Sequence, residues 1–272
     1  MQVDALFTNA QIADLFRLRL FDGWAAIVDG RFAAVEEGAL PPELAADETH
    51  DLEGRLIVPT LIDAHMHIES SLITPRRFAE AVLPFGTGAV LADPHEIANV
   101  AGVEGVRWMI AASQGLPLRV YIAIPSCVPA TSPDIEWTAH VFDADAIQPL
   151  FDAPHVLALG EVMDYEGLLG QNDRLPMLVR AAREAGLRLE GHIPTLSGVR
   201  LSRYLSHGIS SDHTLTYPDK IREQLSKGVT VMLQAKSVTP ENMAAVAALP
   251  DRSNILLVTD DIEPTLLQAG HL

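Results

Sequence analysis

The sequence is poor in cysteine and has no long apolar run. Cys127 is the single cysteine among 272 residues, which excludes an internal disulfide and is typical of a reducing compartment. No uninterrupted apolar stretch approaches the length of a membrane span. The first residues, Met-Gln-Val-Asp, lack the basic and apolar regions of a secretory signal. We therefore expect a soluble, cytoplasmic protein without a membrane partner.

Basic residues are also scarce. The chain has 19 lysines and arginines against 36 aspartates and glutamates, which gives a formal net charge of −17. A surface of this charge repels phosphate backbones, so we expect no nucleic-acid partner. Apolar residues make up 48% of the chain, a proportion found in globular proteins. The composition therefore indicates a globular protein that does not bind nucleic acid.

Residues 1–58 are predicted to form a small β-rich segment. Residues 5–12 and 24–28 alternate as strands do, and Asp29-Gly30 is a good dipeptide for a tight turn. Pro41 and Pro42 mark a surface loop, after which an apolar run resumes at residues 55–58.

From residue 59 onward, short apolar runs alternate with segments of helical character. This alternation predicts parallel βα units, with helices at residues 75–83, 103–113, 174–185 and 218–227. Eight such strands favour an α/β fold of the TIM-like (β/α)8 barrel type over an open sheet. The strands are predicted at residues 61–66, 89–92, 119–124, 156–160, 188–191, 208–211, 229–233 and 255–259.

The ends of these strands carry residues that bind metals. His65 and His67 end the first strand, and because strand side chains alternate faces, both imidazoles project to one side. Active sites on barrels of this type gather at the C-terminal ends of the strands. Two neighbouring ions bridged by one carboxylate would use all the ligand types found there. Four other strand ends contribute Glu161, His192, Asp212-His213 and Asp260-Asp261.

The positions of the lysines narrow the kind of site. The chain has only three lysines, Lys220, Lys227 and Lys236, and none ends the fourth strand. Many binuclear enzymes of this kind bridge their ions with a carbamylated lysine there. Glu161 takes that place here, and a carboxylate bridges two ions without modification. This argues against dihydroorotase-like and hydantoinase-like enzymes.

A further cluster, Asp93-Pro94-His95-Glu96, follows the second strand. Its ordinary structural interpretation is a proline-containing turn with an aspartate cap. The cluster nevertheless opens onto the same strand ends as the other ligand types. Glu96 is therefore a candidate acid/base, and His95 is a candidate supporting group or additional ligand.

Together these motifs resemble those of the adenine deaminase family within the amidohydrolase superfamily. The match runs in order from about residue 50 to the end of the sequence. His-x-His alone would indicate only the superfamily. The similar stretches are residues 62–71 (IDAHMHIESS), 92–100 (ADPHEIANV), 125–131 (PSCVPAT), 159–163 (LGEVM), 208–213 (GISSDH) and 259–261 (TDD).

The resemblance implies a specific activity and cofactor. The activity is hydrolytic deamination of adenine to hypoxanthine and ammonia by a metal-activated hydroxide. The cofactor is a binuclear divalent centre, Mn²⁺ or Fe²⁺, with Zn²⁺ also compatible. In this mechanism Glu96 protonates the ring nitrogen N1, and Asp260 passes the hydroxide proton to the departing amine. The implied ligands are His65, His67, Glu161 as the bridge, His192, His213 and Asp260.

Further residues are candidates for contact with the purine base or for support of the ligands. The ordinary interpretation of Cys127 is a small buried apolar residue, and Asp261 is a less favoured match than Asp260 to the family's aspartate. Histidines outside the strand ends are expected to be structural or superficial: His50, His140, His155, His207 and His271. The candidates for substrate or supporting contacts are Asp93, His95, Glu69, Ser70, Cys127 and Asp261.

The resemblance also implies a longer architecture. Residues 1–58 would be part of a composite β-sandwich, and residues 59–272 would be the barrel without its last helix and the C-terminal domain. A homo-oligomer is expected from the same resemblance. Two alternatives stay open. One is another amidohydrolase that acts on a different heterocycle, and the other is an inactive metal-binding barrel fragment.

Overall fold

A computed structural model describes residues 2–132, 134–170 and 174–270, so His271 lies outside the described residues. The described residues form two compact units that divide between Thr60 and Leu61. Within the described ranges, no helix is long and apolar enough to cross a membrane.

The N-terminal unit is a five-stranded mixed sheet. Its strand order is β3-β2-β1-β4, and β5 pairs with the far end of β1. The β2–β3 hairpin turns at Asp29 and Gly30, which both have positive φ (51° and 69°), as a tight hairpin turn requires. The strands are β1 (Gln2–Asp14), β2 (Arg19–Val28), β3 (Arg31–Glu37), β4 (Ala45–Asp51) and β5 (Leu56–Ile57).

One region of this sheet is apolar and open. A cavity of about 680 Å³ lies against it, lined by twelve residues of the N-terminal unit. Phe16 is fully exposed, and Phe32 is 63% exposed, although both are large apolar side chains. The unit has one small cluster of buried apolar side chains, which contains Val3, Leu6, Trp24 and Ala26.

The second unit contains eight parallel strands in two sheets. One sheet has the order β10-β9-β8-β7-β6, and the other has the order β11-β12-β13. Most strands begin and end within two residues of the predicted positions. The strands are β6 (Leu61–Met66), β7 (Thr87–Ala92), β8 (Arg119–Ile124), β9 (Val156–Val162), β10 (Arg188–Gly191), β11 (Ser211–Asp212), β12 (Thr230–Leu233) and β13 (Ile255–Leu257).

A continuous closed barrel is not seen in the described residues, because the strands form two separate sheets that only a few hydrogen bonds join. Between β10 and β11, the Ser210 amide donates to Leu189 O at 3.2 Å. Strand β11 starts later than predicted, because Gly208 has a left-handed φ of 103° that breaks the extended conformation. On the other side, the Asp260 amide donates to His65 O and the His67 amide donates to Asp260 O, each at 3.1 Å. These two bonds form an isolated parallel bridge.

Helices follow most of the strands and cover the parallel sheets. The second helix begins at His95, earlier than predicted, because a kink at Gly102 (φ 63°, ψ −150°) separates its first turns from the predicted part. The main hydrophobic core lies between these helices and the sheet. The helices are α1 (Pro75–Val82), α2 (His95–Ala112), α3 (Ala144–Ile147), α4 (Tyr165–Leu169), α5 (Arg174–Glu184), α6 (Gly198–Leu205), α7 (Pro218–Ser226), α8 (Pro240–Ala247) and α9 (Pro264–Gln268).

Candidate metal centre

His65 lies on β6 and His67 directly follows this strand, and both present their Nε2 atoms to the same two carboxylates. Nε2 of His65 is 3.5 Å from Glu161 Oε1 and 3.6 Å from Asp260 Oδ1. Nε2 of His67 is 3.1 Å and 3.3 Å from the same oxygens. Both histidines are buried, at 1% and 2% exposure. The period-two geometry of the strand therefore brings both imidazoles to one point, as the His-x-His spacing predicts.

The carboxylate of Glu161 stands between two sets of imidazoles. Its Oε1 faces His65 and His67, whereas its Oε2 lies 2.6 Å from His192 Nδ1 and 3.1 Å from His213 Nε2. Glu161 is near the end of β9, and the two other histidines follow β10 and β11. Each carboxylate oxygen thus serves a separate pair of nitrogens, which is the arrangement that a bridging carboxylate needs.

Asp260 follows β13 in a conformation that ordinary residues avoid. Its φ is 63°, and its backbone makes the bridge to β6. Gln234 holds the side chain, because its Nε2 donates to Asp260 Oδ2 at 2.8 Å and to His213 O at 3.1 Å. The remaining oxygen, Oδ1, faces His65 and His67. A strained backbone that is held by several contacts is common at functional sites.

The geometry of these donors fits a divalent metal. Among the described residues, the buried Nε2 of His65 has no hydrogen-bond partner. Its separations from the carboxylates exceed the 2.7–3.2 Å of an ordinary hydrogen bond. They approach the spacing of roughly 3.3 Å between ligands that are each about 2 Å from one ion. Four residues offer ligand atoms that all lie within 4.8 Å of one another: His65, Glu161, His213 and Asp260.

The electrostatics of the site favour a bound cation. Burial opposes protonation of His65, but the carboxylates of Asp260 and Glu161 outweigh burial and raise the pKa of His65 to about 9. Burial would raise the pKa of Glu161, yet His213 and the other histidines hold this pKa well below its usual range. Positive charge is therefore stabilised at this point of the protein. A divalent ion supplies that charge and replaces the extra protons.

Asp93 positions two of the candidate ligands. Its Oδ2 accepts the Glu161 amide at 3.0 Å, and its backbone oxygen lies 2.8 Å from Nδ1 of His67. Because a carbonyl oxygen only accepts, Nδ1 of His67 carries a proton. Its Nε2 is then the atom that binds a metal, as is usual for metal-ligating histidines.

Gly160 makes the Asp93 contact possible. A Cβ at position 160 would overlap the Asp93 carboxylate. We expect Gly160→Ala to displace Asp93, to weaken metal binding, and to destabilise the fold by about 1–3 kcal/mol. Thermal unfolding and metal analysis of the purified variant would measure both effects. The control is Gly186→Ala, where the added Cβ meets no atom within 4 Å and only the backbone conformation is strained. If Gly160→Ala binds metal as the wild type does, the contact does not position Glu161.

Other predicted residues lie beside this centre. The Ser70 hydroxyl is within hydrogen-bond distance of Glu96 Oε1, at 3.2 Å, and of the Asp261 carboxylate. Burial, followed by the charge of Glu96, raises the pKa of Glu69 to about 7. Within the described part of the chain, Oε2 of Glu69 and Oε2 of Glu96 are buried without a hydrogen-bond partner. These polar groups form a surface next to the histidines, which we call the second wall of the site; it consists of Glu69, Ser70, Glu96 and Asp261.

A buried ion pair that the sequence analysis missed supports His192 and His213. Asp212 accepts the amides of Ile193 and Thr214 at 2.9 and 3.1 Å, which are the residues directly after the two histidines. Lys220 lies 2.9 Å from the Asp212 carboxylate, and Gln224 donates to it at 2.7 Å. The sequence contains one indication of this ion pair, because Asp212 lies between a predicted strand and the candidate ligand His213. Nothing in the sequence linked Lys220 to it.

The chain is similar in sequence to a known family and to named relatives. A family model described as "Amidohydrolase family" matches residues 56–265. A protein named adenine deaminase from Halalkalibacterium halodurans is 38% identical over 262 residues, covering 96% of this chain and 44% of the relative. One named adenine deaminase 2 from Carboxydothermus hydrogenoformans is 39% identical, covering 99% and 46%. The chain thus spans less than half the length of these relatives.

Solved structures share the fold at low sequence identity. The N-acetyl-D-glucosamine-6-phosphate deacetylase from Mycobacterium smegmatis has a TM-score of 0.65 and 21% identity, over 96% of this chain and 72% of that one. The 5-methylcytosine deaminase from Klebsiella pneumoniae has a TM-score of 0.55 and 13% identity, over 95% and 76%. At these identities the likeness concerns the fold alone.

Proposed function

The chain belongs to the amidohydrolase family, and from this premise we propose that it catalyses the hydrolysis of adenine to hypoxanthine and ammonia. One observation supports metal-dependent hydrolysis above all: the two oxygens of the Glu161 carboxylate face two separate pairs of histidines. The substrate is inferred from relatives of 35–40% identity that are named adenine deaminase.

The proposed cofactor is a pair of divalent ions, Mn²⁺ or Fe²⁺, with Zn²⁺ also compatible with the donor set. Such ions, when bound, supply Lewis-acid chemistry that lowers the pKa of a water molecule to near neutrality. Oε1 of Glu161 would hold one ion together with His65, His67 and Asp260. Oε2 would hold the other together with His192 and His213.

The protein's own residues would then move two protons. A water molecule passes one proton to the Glu96 carboxylate and its oxygen adds to C6 of adenine, while Glu96 gives this proton to the ring nitrogen N1. Asp260 takes the remaining proton of that oxygen and passes it to the exocyclic amine, the C6–N bond breaks, and ammonia leaves. Gln234 supports this role because its amide donates to Oδ2 and fixes the orientation of the Asp260 carboxylate.

The second wall of the site is the proposed binding surface for the purine base. Ser70 links Glu96 to Asp261 by hydrogen bonds. Glu69, with a pKa raised to about 7, offers a carboxyl that both donates and accepts near neutral pH. Donors and acceptors of this kind match the ring nitrogens and the amine of adenine.

We also propose that the two parallel sheets are parts of one (β/α)8 barrel in the whole protein. The Ser210–Leu189 bond and the bridge between Met66 and Asp260 support this architecture, because they join the sheets at both edges. The open apolar region of the N-terminal sheet, around Phe16 and Phe32, supports the composite β-sandwich, because a second sheet would cover these exposed side chains.

A substrate panel tests the proposed function. With the purified chain reconstituted with Mn²⁺, we expect ammonia release from adenine at a higher kcat/KM than from guanine, cytosine or adenosine. Release of ammonia is followed continuously in a coupled assay, and metal-free protein is the control. A higher kcat/KM for any other heterocycle would contradict adenine as the substrate and would leave the hydrolytic site in place.

A further inference from the structure

Three side chains beside the centre have no role in the proposed hydrolysis beyond support. Asp93 and His95 follow β7, and Cys127 follows the adjacent strand β8, so the sheet brings them together at one edge. Their ligand atoms all lie within 4.8 Å of one another. Asp93 and Cys127 are buried, at 1% and 2% exposure.

Two of these ligand atoms are buried without a hydrogen bond. Across residues 2–132, 134–170 and 174–270, neither Oδ1 of Asp93 nor Nδ1 of His95 has a partner. They lie 3.7 Å apart, which is too far for a hydrogen bond. Oδ2 of Asp93 is already bonded to the Glu161 amide, so Oδ1 is the oxygen left over. A buried, unpaired carboxylate oxygen costs free energy unless something else binds it.

A metal ion satisfies these atoms better than protein groups do. Ligands at 2.0–2.3 Å from a tetrahedral ion are roughly 3.3–3.7 Å apart, and the Asp93–His95 separation agrees with that spacing. A thiol, an imidazole and a carboxylate form a donor set that suits zinc.

We propose that Oδ1 of Asp93, Nδ1 of His95 and Sγ of Cys127 bind a third divalent ion, with zinc as the best chemical match. On binding, the thiol releases its proton to solvent and the thiolate becomes a ligand. The site lies next to the pair of ions, since Nδ1 of His95 is also 3.6 Å from Glu161 Oε1. Occupancy there would position His95 and Asp93, and through Asp93 the bridging Glu161. The proposal is independent of which heterocycle the enzyme hydrolyses.

Cobalt reports directly on a thiolate ligand. We would titrate the metal-free 272-residue chain with Co²⁺ and record the near-ultraviolet absorption. Because Cys127 is the only cysteine, a thiolate-to-cobalt charge-transfer band identifies it. We expect the band to saturate at one thiolate-bound ion per chain and to vanish in Cys127→Ser, with one fewer ion bound. Binding of cobalt without this band, or a band that survives in Cys127→Ser, would overturn the proposal.

A second variant separates this site from the paired ions. Glu161→Gln should lose cobalt from the paired positions and keep the charge-transfer band. If it loses the band as well, the thiolate belongs to the same centre and a separate third site is wrong. X-ray absorption of the zinc-loaded wild type needs no variant to fold, and we expect a sulfur neighbour at about 2.3 Å. Nitrogen and oxygen neighbours alone would contradict the assignment.

Discussion

Glu161→Gln is expected to abolish binding of the paired ions and, with it, hydrolysis. Each oxygen of Glu161 faces its own pair of histidines. An amide keeps the shape but loses the charge, and it offers only one oxygen. Residues that only hydrogen-bond to a metal ligand already contribute about 10–100-fold to metal affinity. Loss of the ligand Glu161 itself should therefore lower the affinity for at least one ion by more than about 100-fold. Metal analysis after equilibrium dialysis measures it.

A second buried glutamate gives a matched control. Glu190 lies on β10, is 5% exposed, and accepts a hydrogen bond from Ser211. Burial raises the pKa of Glu190 above its usual value, and glutamine keeps the size and shape of this side chain. We expect Glu190→Gln to bind both ions. Wild-type binding of two ions by Glu161→Gln would show that this carboxylate does not bridge them.

Glu96→Gln is expected to lower turnover of adenine by about 10²–10⁴-fold, the range for loss of a general acid/base group. Glu96 lies in the first turn of α2 and is outside the four-residue cluster around His65. Its substitution should therefore leave the paired ions bound, so kcat falls without a fall in metal content. The measurements are steady-state kinetics and a metal count on the same preparation.

The same helix supplies the control for Glu96. Glu104 is exposed and pairs with Arg107 on the surface of α2. Glu104→Gln should change neither kcat nor metal content. If Glu96→Gln kept near-wild-type turnover with full metal occupancy, Glu96 would not be the proton donor to N1, and another group of the second wall would take that role.

Much of the strand pattern follows from the sequence. Three strands, β6, β8 and β10, begin and end at the predicted residues. The joins between the sheets could not be predicted in the same way. They depend on a few backbone hydrogen bonds of Ser210 and Asp260 and on the left-handed φ of Gly208, which periodicity does not encode.

The candidate ligands could be found because each is an ionisable residue at the end of a strand. Their partners could not. Gln234 carries no charge, yet it determines which oxygen of Asp260 is free. Lys220 lies on α7, and only the folding of the chain brings it next to Asp212. The division of Glu161 between two pairs of histidines depends on side-chain orientation, which the spacing along the sequence does not give.

Anomalous diffraction from crystals of the Mn²⁺-loaded protein tests the central claim, a pair of ions bridged by Glu161, most directly. We expect an anomalous peak beside each of the two oxygens of this carboxylate, whether or not the site at Cys127 also takes an ion. The absence of a peak beside either oxygen would contradict the claim. The residues expected within coordination distance are His65, His67 and Asp260 for the peak at Oε1, and His192 and His213 for the peak at Oε2.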